Sequence, residues 1–247
     1  MPLYKNETVS WEQYLSLEQN FLEYLRSVPL EKKHNEVWSY QLGNLIIDIG
    51  SVIDSFLRNS IYLQSLDSVP GIQEIRSKEK KKGLSIGDYH KIYYKHYKLS
   101  SKSVYELRNY NKINPFYRWK SNPPPFWWTA YNKVKHNRFE NRKRATLKST
   151  LYALSALFLL NVTNPKLVPY LVDIGVIHRM GWAEEYVKSH IVDGSIVDVK
   201  PAMHEPIHAK TELFGYIYPN KCSKFDEAEQ KRILSPLNRG SFGSWNR

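Results

Sequence analysis

The longest periodic segment of the chain, Asn35 to Gln64, constrains the fold more than any other feature of the sequence. Apolar residues recur in it at three- and four-residue spacing and form one stripe, which consists of Trp38, Leu42, Leu45, Ile49, Val52 and Phe56. A second stripe at the same spacing is polar and consists of Gln41, Asn44, Asp48, Ser51, Ser55 and Arg58. Both periods match an α-helix. We therefore predict a long amphipathic helix whose polar stripe faces solvent or, alternatively, a partner helix or a functional site.

A second helix is predicted to be buried on all sides. The segment Lys143 to Asn161 is apolar around nearly its whole circumference and contains the longest apolar stretch of the chain, Leu151 to Leu160. Such a helix is typical of the centre of a core. The apolar stretch is too short to cross a bilayer, which requires about 20 apolar residues. We therefore expect no membrane association.

Shorter periodic segments predict further helices. These lie at Ser10 to Val28, Gln73 to Lys82, Ser85 to Lys98, Phe126 to Arg138, Lys166 to Met180 and Ala183 to His190. The first is expected to begin with Ser10 as its N-cap, because Gln13 follows three residues later as in a capping box. The stretch between the helical parts, which includes Val104 to Trp119, is interpreted as irregular and basic.

The pattern changes near residue 190. Ile196, Val197 and Val199 indicate a short strand, and Phe214 to Tyr218 indicates a second one. We therefore predict a mainly α fold, with a helical domain at residues 1–190 and a less regular, partly β extension at residues 191–247. The last dozen residues, Pro236 to Arg247, are expected to form a mobile tail.

The charge balance favours a polyanionic partner. The chain has 36 Lys and Arg against 24 Asp and Glu, a net charge of +12. Such an excess is typical of proteins that bind RNA, DNA, nucleotides or acidic lipid, and the alternative is that it serves only solubility. The single cysteine, Cys222, permits no disulfide within the chain. Because Met1 to Ser10 also lacks the apolar run of a signal peptide, we expect a cytoplasmic location.

The histidines do not predict a metal site. His204 and His208 are four residues apart, but Pro206 would break a helix between them. His90 and His96 are six residues apart and would not share a helix face. The glycine-rich loops of ATP-binding and dinucleotide-binding proteins are also missing from the sequence. We therefore expect neither a metal nor a cofactor.

The segment Phe126 to Arg138 contains the residues best suited to chemistry. On a helix Asn132 and His136 face the same way, and Lys135 and Arg138 flank them. The opposite, core-facing stripe is formed by Trp127, Ala130, Tyr131 and Val134. Histidine can take a proton from a hydroxyl near neutral pH, and a cation can neutralise charge that develops on a phosphate. This set suits phosphodiester chemistry that needs no metal.

A basic run overlaps and follows this segment. It contains seven cations within sixteen residues, opposed only by Glu140: Lys133, Lys135, Arg138, Arg142, Lys143, Arg144 and Lys148. Such a run can follow a phosphate backbone, and its binding would then weaken with salt. The alternatives are a solvated loop between helices and a membrane-surface segment. The membrane alternative is disfavoured, because the apolar residues nearby are assigned to the core.

The run from Tyr131 to His136 resembles the Arg-Asn-x-x-x-His motif of the HEPN superfamily (higher eukaryotes and prokaryotes nucleotide-binding). The helix order over Asn35 to Asn161 is also similar to that family. The resemblance implies a helical bundle that dimerises through the motif helix. It further implies either a metal-independent endoribonuclease of a toxin or antiviral defence system, or an inactive relative that binds nucleotides, RNA or a protein such as an antitoxin. In an active member the motif histidine acts on the 2′-hydroxyl and the motif arginine binds the scissile phosphate.

The resemblance places His136, Asn132 and Tyr131 at the catalytic positions, with Asp48 or Asp54 as supporting acids from the long helix. The chain departs from the motif at Tyr131, because tyrosine is neutral at pH 7 and cannot make a bidentate charged contact with phosphate. Three hypotheses remain open at this point: a ribonuclease, a nucleic-acid or nucleotide-binding module, and a helical scaffold that docks on a protein. Tyr131 favours binding over cleavage.

Overall fold

The computed structural model describes residues 8–93, 97–120, 122–179, 183–192, 195–196, 206–218 and 226–234. Ten α-helices lie in these ranges: α1 (Val9–Tyr24), α2 (Tyr40–Ser60), α3 (Ile72–Lys82), α4 (Ile86–Tyr93), α5 (Phe126–His136), α6 (Arg138–Asn141), α7 (Leu147–Val162), α8 (Val168–Asp173), α9 (Glu184–His190) and α10 (Glu227–Leu234). The prediction of a mainly α fold is therefore confirmed.

The helix α7 lies at the centre of the molecule, with α1, α2 and α5 packed around it. Every residue from Ala153 to Thr163 is buried. Polar side chains among them donate to carbonyls of the same helix, since Asn161 Nδ2 donates to the Leu157 carbonyl at 2.9 Å and Thr163 Oγ1 donates to the Leu159 carbonyl at 2.7 Å. The prediction of a central helix, apolar nearly all round, is confirmed. Across the described part of the chain, no helix combines the length and apolar character that crossing a membrane requires.

The helix α2 is amphipathic, as its two stripes predicted. It begins after Ser39, whose hydroxyl accepts a hydrogen bond from the Leu42 amide at 3.1 Å. The apolar positions from Leu42 to Phe56 are buried or half-buried against α1 and α7, and the six positions of the polar stripe are exposed. Trp38 lies just before the helix, where it forms an isolated β-bridge with Thr146. This bridge fixes the start of α2 beside the start of α7.

An antiparallel sheet completes the fold. The strands in the described ranges are β1 (Val104–Glu106), β2 (Asn111–Ile113), β3 (Ile177–His178), β4 (Ile191–Val192), β5 (Ser195–Ile196), β6 (His208–Lys210) and β7 (Phe214–Ile217). The strand order of the sheet is β2-β1-β7-β6-β3, and β4 and β5 form a separate pair. The strand predicted at Phe214 is confirmed. The division at residue 190 stays a prediction, although β6 and β7 share a sheet with strands from before it.

Several local predictions are wrong. The stretch after Val104 was expected to be irregular, but it contains β1 and β2. The predicted helix Lys166 to Met180 ends at Asp173, because Gly175 adopts a left-handed conformation with φ of 72° and the chain then enters β3. Helix α1 begins at Val9, so Ser10 is not its N-cap. Val197, Val199, Cys222 and the predicted tail lie outside the described residues.

A buried carboxyl group joins the sheet to the helices. Glu18 of α1 is 1% exposed, and its Oε1 accepts hydrogen bonds from the Tyr14 hydroxyl at 2.5 Å, the Thr211 hydroxyl at 2.6 Å and the Leu213 amide at 3.2 Å. Thr211 and Leu213 belong to the turn between β6 and β7. Burial raises the pKa of Glu18 above its usual value, and the hydrogen bonds from Thr211 and Tyr14 lower it only in part.

The raised pKa of Glu18 predicts a pH-dependent stability. A carboxyl group with a higher pKa in the folded state contributes stability that is complete below its unfolded pKa and is lost as pH rises through the folded value. Glu18→Gln keeps the acceptor oxygen but cannot ionise. We therefore expect the free energy of unfolding of this variant to fall less than that of the wild type as pH rises above about 4, the usual pKa of an unfolded glutamate.

Urea unfolding at a series of pH values measures this difference. Glu12→Gln, which removes an exposed carboxylate of the same helix, controls for the loss of one charge. Equal slopes for the wild type and Glu18→Gln would contradict the assignment.

Candidate nucleic-acid interface

The helix α5 presents one face to the core and one to the outside. Its buried face consists of Trp127, Trp128, Ala130, Tyr131 and Val134, which includes the whole predicted core stripe. The indole nitrogen of Trp127 donates to the Pro115 carbonyl at 2.7 Å and thereby fixes the start of the helix. Because the core face is fixed, Asn132 and His136 are turned outward. Asn132 is half-buried and His136 is exposed.

The position that resembles the motif arginine is a packing position. Tyr131 is 1% exposed, and its ring lies directly against Gly50 of α2. A Cβ atom placed on Gly50 would lie 2.3 Å from Cδ2 of the Tyr131 ring, so the two helices can approach this closely only because residue 50 has no side chain. The ring of Tyr131 therefore faces α2 and is not available to a ligand.

Lys135 contacts the polar end of Tyr131. Its Nζ donates to the Tyr131 hydroxyl at 3.0 Å and lies 5.2 Å from the centre of the ring. The hydrogen bond with Tyr131 raises the pKa of Lys135, and the negative charge of Asp54 raises it further. Lys135 is therefore a cation at neutral pH. Asp54 also pairs with Arg58 one turn later at 3.5 Å.

The two predicted supporting acids differ in their surroundings. Asp54 is half-buried, and its negative charge raises the pKa of both Lys135 and Tyr89. The pKa of Tyr89 rises to about 12, mainly because Tyr89 is buried. Asp48 is exposed on the same helix and forms no ion pair with any residue that the structure describes. The structure thus brings Asp54 into the electrostatic surroundings of α5.

Arg138 does not continue α5, which corrects the prediction of one helix from Phe126 to Arg138. Asn137 leaves the helical conformation with φ of −148° and ψ of 87°, and its side chain caps α6 by accepting from the Glu140 amide at 3.3 Å. Arg138 therefore opens a new helix. Its Nη1 donates to Asn44 Oδ1 at 2.9 Å, so the guanidinium lies over the polar stripe of α2.

Asn132 and His136 remain free on the outer face of α5. They are one helical turn apart, as predicted, and neither side chain makes a hydrogen bond to another residue in the described ranges. An amide and an imidazole on this face can each contact a bound molecule. The arrangement is compatible with the predicted roles of both residues, which stay predictions.

The seven cations of the predicted basic run lie at the surface of α5, of the segment that follows it and of the start of α7, and we call them the basic surface. All are exposed or half-exposed: Lys133, Lys135, Arg138, Arg142, Lys143, Arg144 and Lys148. Within the described ranges, none of them forms an ion pair with a carboxylate. Their contacts are to neutral groups, such as the hydrogen bond from Arg144 Nε to Asn141 Oδ1 at 3.2 Å and the position of Lys148 Nζ 5.7 Å from the Phe126 ring centre.

Several cations elsewhere in the described ranges form ion pairs with carboxylates, whereas others, such as Lys81 and Lys82, do not. Arg76 pairs with Asp67 at 2.8 Å, Lys78 pairs with Asp88 at 2.6 Å, and Lys188 bridges two carboxylates, one of them at 2.6 Å. The basic surface thus consists of seven cations that have no ion-pair partner among the described residues, with one acidic residue, Glu140, in the same run. Such a surface attracts polyanions.

Metal-ligating side chains do not cluster in the described residues, where no group of three or more His, Cys, Asp or Glu could hold an ion. His208 is buried and stacks edge-on against His178 with ring centres 4.2 Å apart. Burial, with a further contribution from His178, lowers the pKa of His208 to about 4. His204 and His96 lie outside the described residues.

No protein-family model matches this chain, and no curated protein or solved structure is significantly similar to it.

The contact between Gly50 and Tyr131 generates a test of the geometry. Gly50→Ala places a methyl group where the ring lies, so we expect it to destabilise the protein by about 1–3 kcal/mol through overpacking. Gly43→Ala is the matched control in the same helix, because no atom lies within 4 Å of the added Cβ. This control is expected to stabilise the protein by about 0.5–1 kcal/mol, the usual gain from alanine in a helix. Chemical unfolding of both variants gives the two values, and a neutral Gly50→Ala would mean that α2 and α5 are further apart.

Proposed function

We propose that the protein binds RNA through the phosphate backbone, on the basic surface, as a helical module of HEPN type. The observation that supports this proposal is that the seven cations have no ion-pair partner among the described residues. An unneutralised cation gains more from a phosphate than a paired one, because it gives up no existing ion pair when it binds. Lysine and arginine that neutralise phosphates also release counterions, which drives association at low salt.

Binding without cleavage is the better-supported form of this function. The resemblance implies that cleavage needs a guanidinium at position 131 to hold the scissile phosphate. Tyr131 is instead neutral and packed on Gly50. Lys135 is the nearest cation, but its Nζ is hydrogen-bonded to the Tyr131 hydroxyl and offers a point charge rather than a planar fork.

A second candidate is metal-independent RNA cleavage. It is favoured by the outward position of His136 and Asn132, neither of which is engaged by another described side chain. In this form His136 would take the proton of a 2′-hydroxyl, and Asn132 would hold a phosphate oxygen. The chain would then act as an effector of a toxin or antiviral defence system, with an antitoxin-like protein partner, and would pair as a homodimer through α5.

The basic surface predicts a local charge effect on RNA binding. The double variant Lys133→Glu, Lys143→Glu removes two exposed cations of this surface. We expect its affinity for a labelled single-stranded RNA to fall by roughly tenfold or more at low salt, and the salt dependence of log K to weaken by about 0.7 for each lost phosphate contact. Fluorescence anisotropy at several salt concentrations measures both quantities.

The matched control changes the net charge equally at another site. Lys81→Glu, Lys82→Glu alters two exposed lysines at the end of α3. If both double variants lose the same affinity, binding depends on the overall charge and the basic surface is not the site.

Cleavage distinguishes the two candidate functions. We expect the wild type to retain a labelled single-stranded RNA on a filter at low salt and to leave it intact in EDTA, with His136→Ala behaving identically. Cleavage by the wild type that His136→Ala abolishes would establish the second candidate. A wild type that neither binds nor cleaves would contradict both, and would leave docking on a protein as the remaining hypothesis.

A further inference from the structure

An aromatic side chain stands exposed within the basic surface. Phe139 of α6 is 82% exposed, the highest value among the large apolar residues of the described chain. Its position is fixed, because Asn137 caps α6 and Asn141 Nδ2 donates back to the Asn137 carbonyl at 3.0 Å. A phenylalanine that contributes nothing to the core and is held outward on a short, capped helix is suited to contact another molecule.

Arg142 contacts both the backbone of Phe139 and an aromatic residue at the start of α2. Arg142 Nη1 donates to the Phe139 carbonyl at 2.5 Å, and its guanidinium lies 5.6 Å from the ring centre of Trp38. Trp38 in turn contacts Tyr40, with ring centres 6.2 Å apart.

Arg138 makes a second contact between α6 and the first turns of α2. Tyr40 is 67% exposed and lies one helical turn before Asn44. Asn44 accepts the hydrogen bond from Arg138, the neighbour of Phe139 in the sequence. The backbone of Phe139 thus lies beside Arg138 and Arg142, whose side chains contact Asn44 and Trp38 near the start of α2. We call Phe139, Tyr40, Trp38 and these two arginines the aromatic patch.

The composition of the patch favours one kind of ligand. Phe139 and Tyr40 are exposed and offer flat apolar faces, whereas Trp38 is half-buried and the Arg142 guanidinium lies over its ring. The two arginines have no carboxylate partner among described residues. Unpaired nucleic-acid bases stack on such rings while their phosphates contact the cations, and guanidinium planes stack on bases as well. A duplex hides its base faces and would use only the charges. A protein partner matched to this charge would need an acidic surface, and it would give no dependence on bases.

We propose that the aromatic patch binds unpaired bases, with Phe139 as a stacking platform, so that the ligand is single-stranded RNA and not a duplex. This proposal rests on the proposed RNA-binding function and adds the strandedness and the means of base contact. Lys133, Lys143 and Arg144 then follow the backbone on either side of the stacked base.

The test compares three labelled probes of equal length: a single-stranded RNA, the duplex of the same sequence, and an abasic strand that carries the phosphates without bases. We expect the wild type to prefer the single strand over both other probes. Phe139→Ala should lose about tenfold in affinity for the single strand, the effect of one lost base–aromatic stack. Its affinity for the abasic strand and its salt dependence should stay unchanged, and Phe139→Trp should retain the preference.

Tyr186→Ala is the control, because Tyr186 is an aromatic residue 63% exposed on α9, which packs against α8 and β4. It should bind all three probes as the wild type does. Equal affinity of the wild type for the single strand and the abasic strand, or no effect of Phe139→Ala, would overturn the stacking proposal while leaving backbone binding intact. A wild type that binds no probe would overturn both proposals. If Phe139→Ala shifts the sedimentation of the protein from dimer to monomer and changes the affinity for all probes equally, the patch is a contact between copies and the stacking proposal is wrong.

Discussion

The close approach of α2 and α5 at Gly50 and Tyr131 determines the geometry of the whole candidate interface. Since the ring fills the space that a side chain on residue 50 would need, the two helix axes lie near each other at this point. Polar groups from both helices therefore meet on one surface. Arg138 reaches Asn44, and Lys135 lies within the field of Asp54, only because the core beneath them places the helices side by side. Packing in the interior thus sets the positions of charges outside it.

The same contact explains why a tyrosine, and not an arginine, is compatible with position 131. An arginine there would bury a guanidinium against a glycine backbone, and an unpaired buried charge is strongly destabilising. Tyrosine fills the space with an apolar ring and offers its hydroxyl to Lys135 at the edge. The position is therefore used for packing, and in the proposed function cations further along the chain contact phosphate. This division of roles is the physical reason for placing binding before cleavage.

The elements that the sequence predicts well are those governed by local periodicity. The predictions of an amphipathic α2 and of an α7 that is apolar nearly all round were correct, because helices of this length repeat their residue pattern several times. The errors arise where one residue, or a partner distant in the sequence, determines the local structure. Asn137 ends α5 and caps α6, which moves Arg138 off the motif helix, and β3 forms because it pairs with β6 about thirty residues later. The role of Gly50 depends on a ring eighty-one positions away, which periodicity cannot reveal.

The solvent exposure of individual side chains is the property that the sequence reveals least. The exposure of Phe139 changes the interpretation of the basic run. From the sequence alone, Phe139 is one aromatic residue among many in a chain with 14% aromatic content, and nothing distinguishes it from a core residue. The structure places it outward beside two arginines that lack acidic partners among the described residues. Charge alone would bind any polyanion with little discrimination, because phosphates are the same along every nucleic acid. An exposed ring among these charges adds an interaction that depends on accessible bases, and so gives a basic surface a means to distinguish single strands from duplexes.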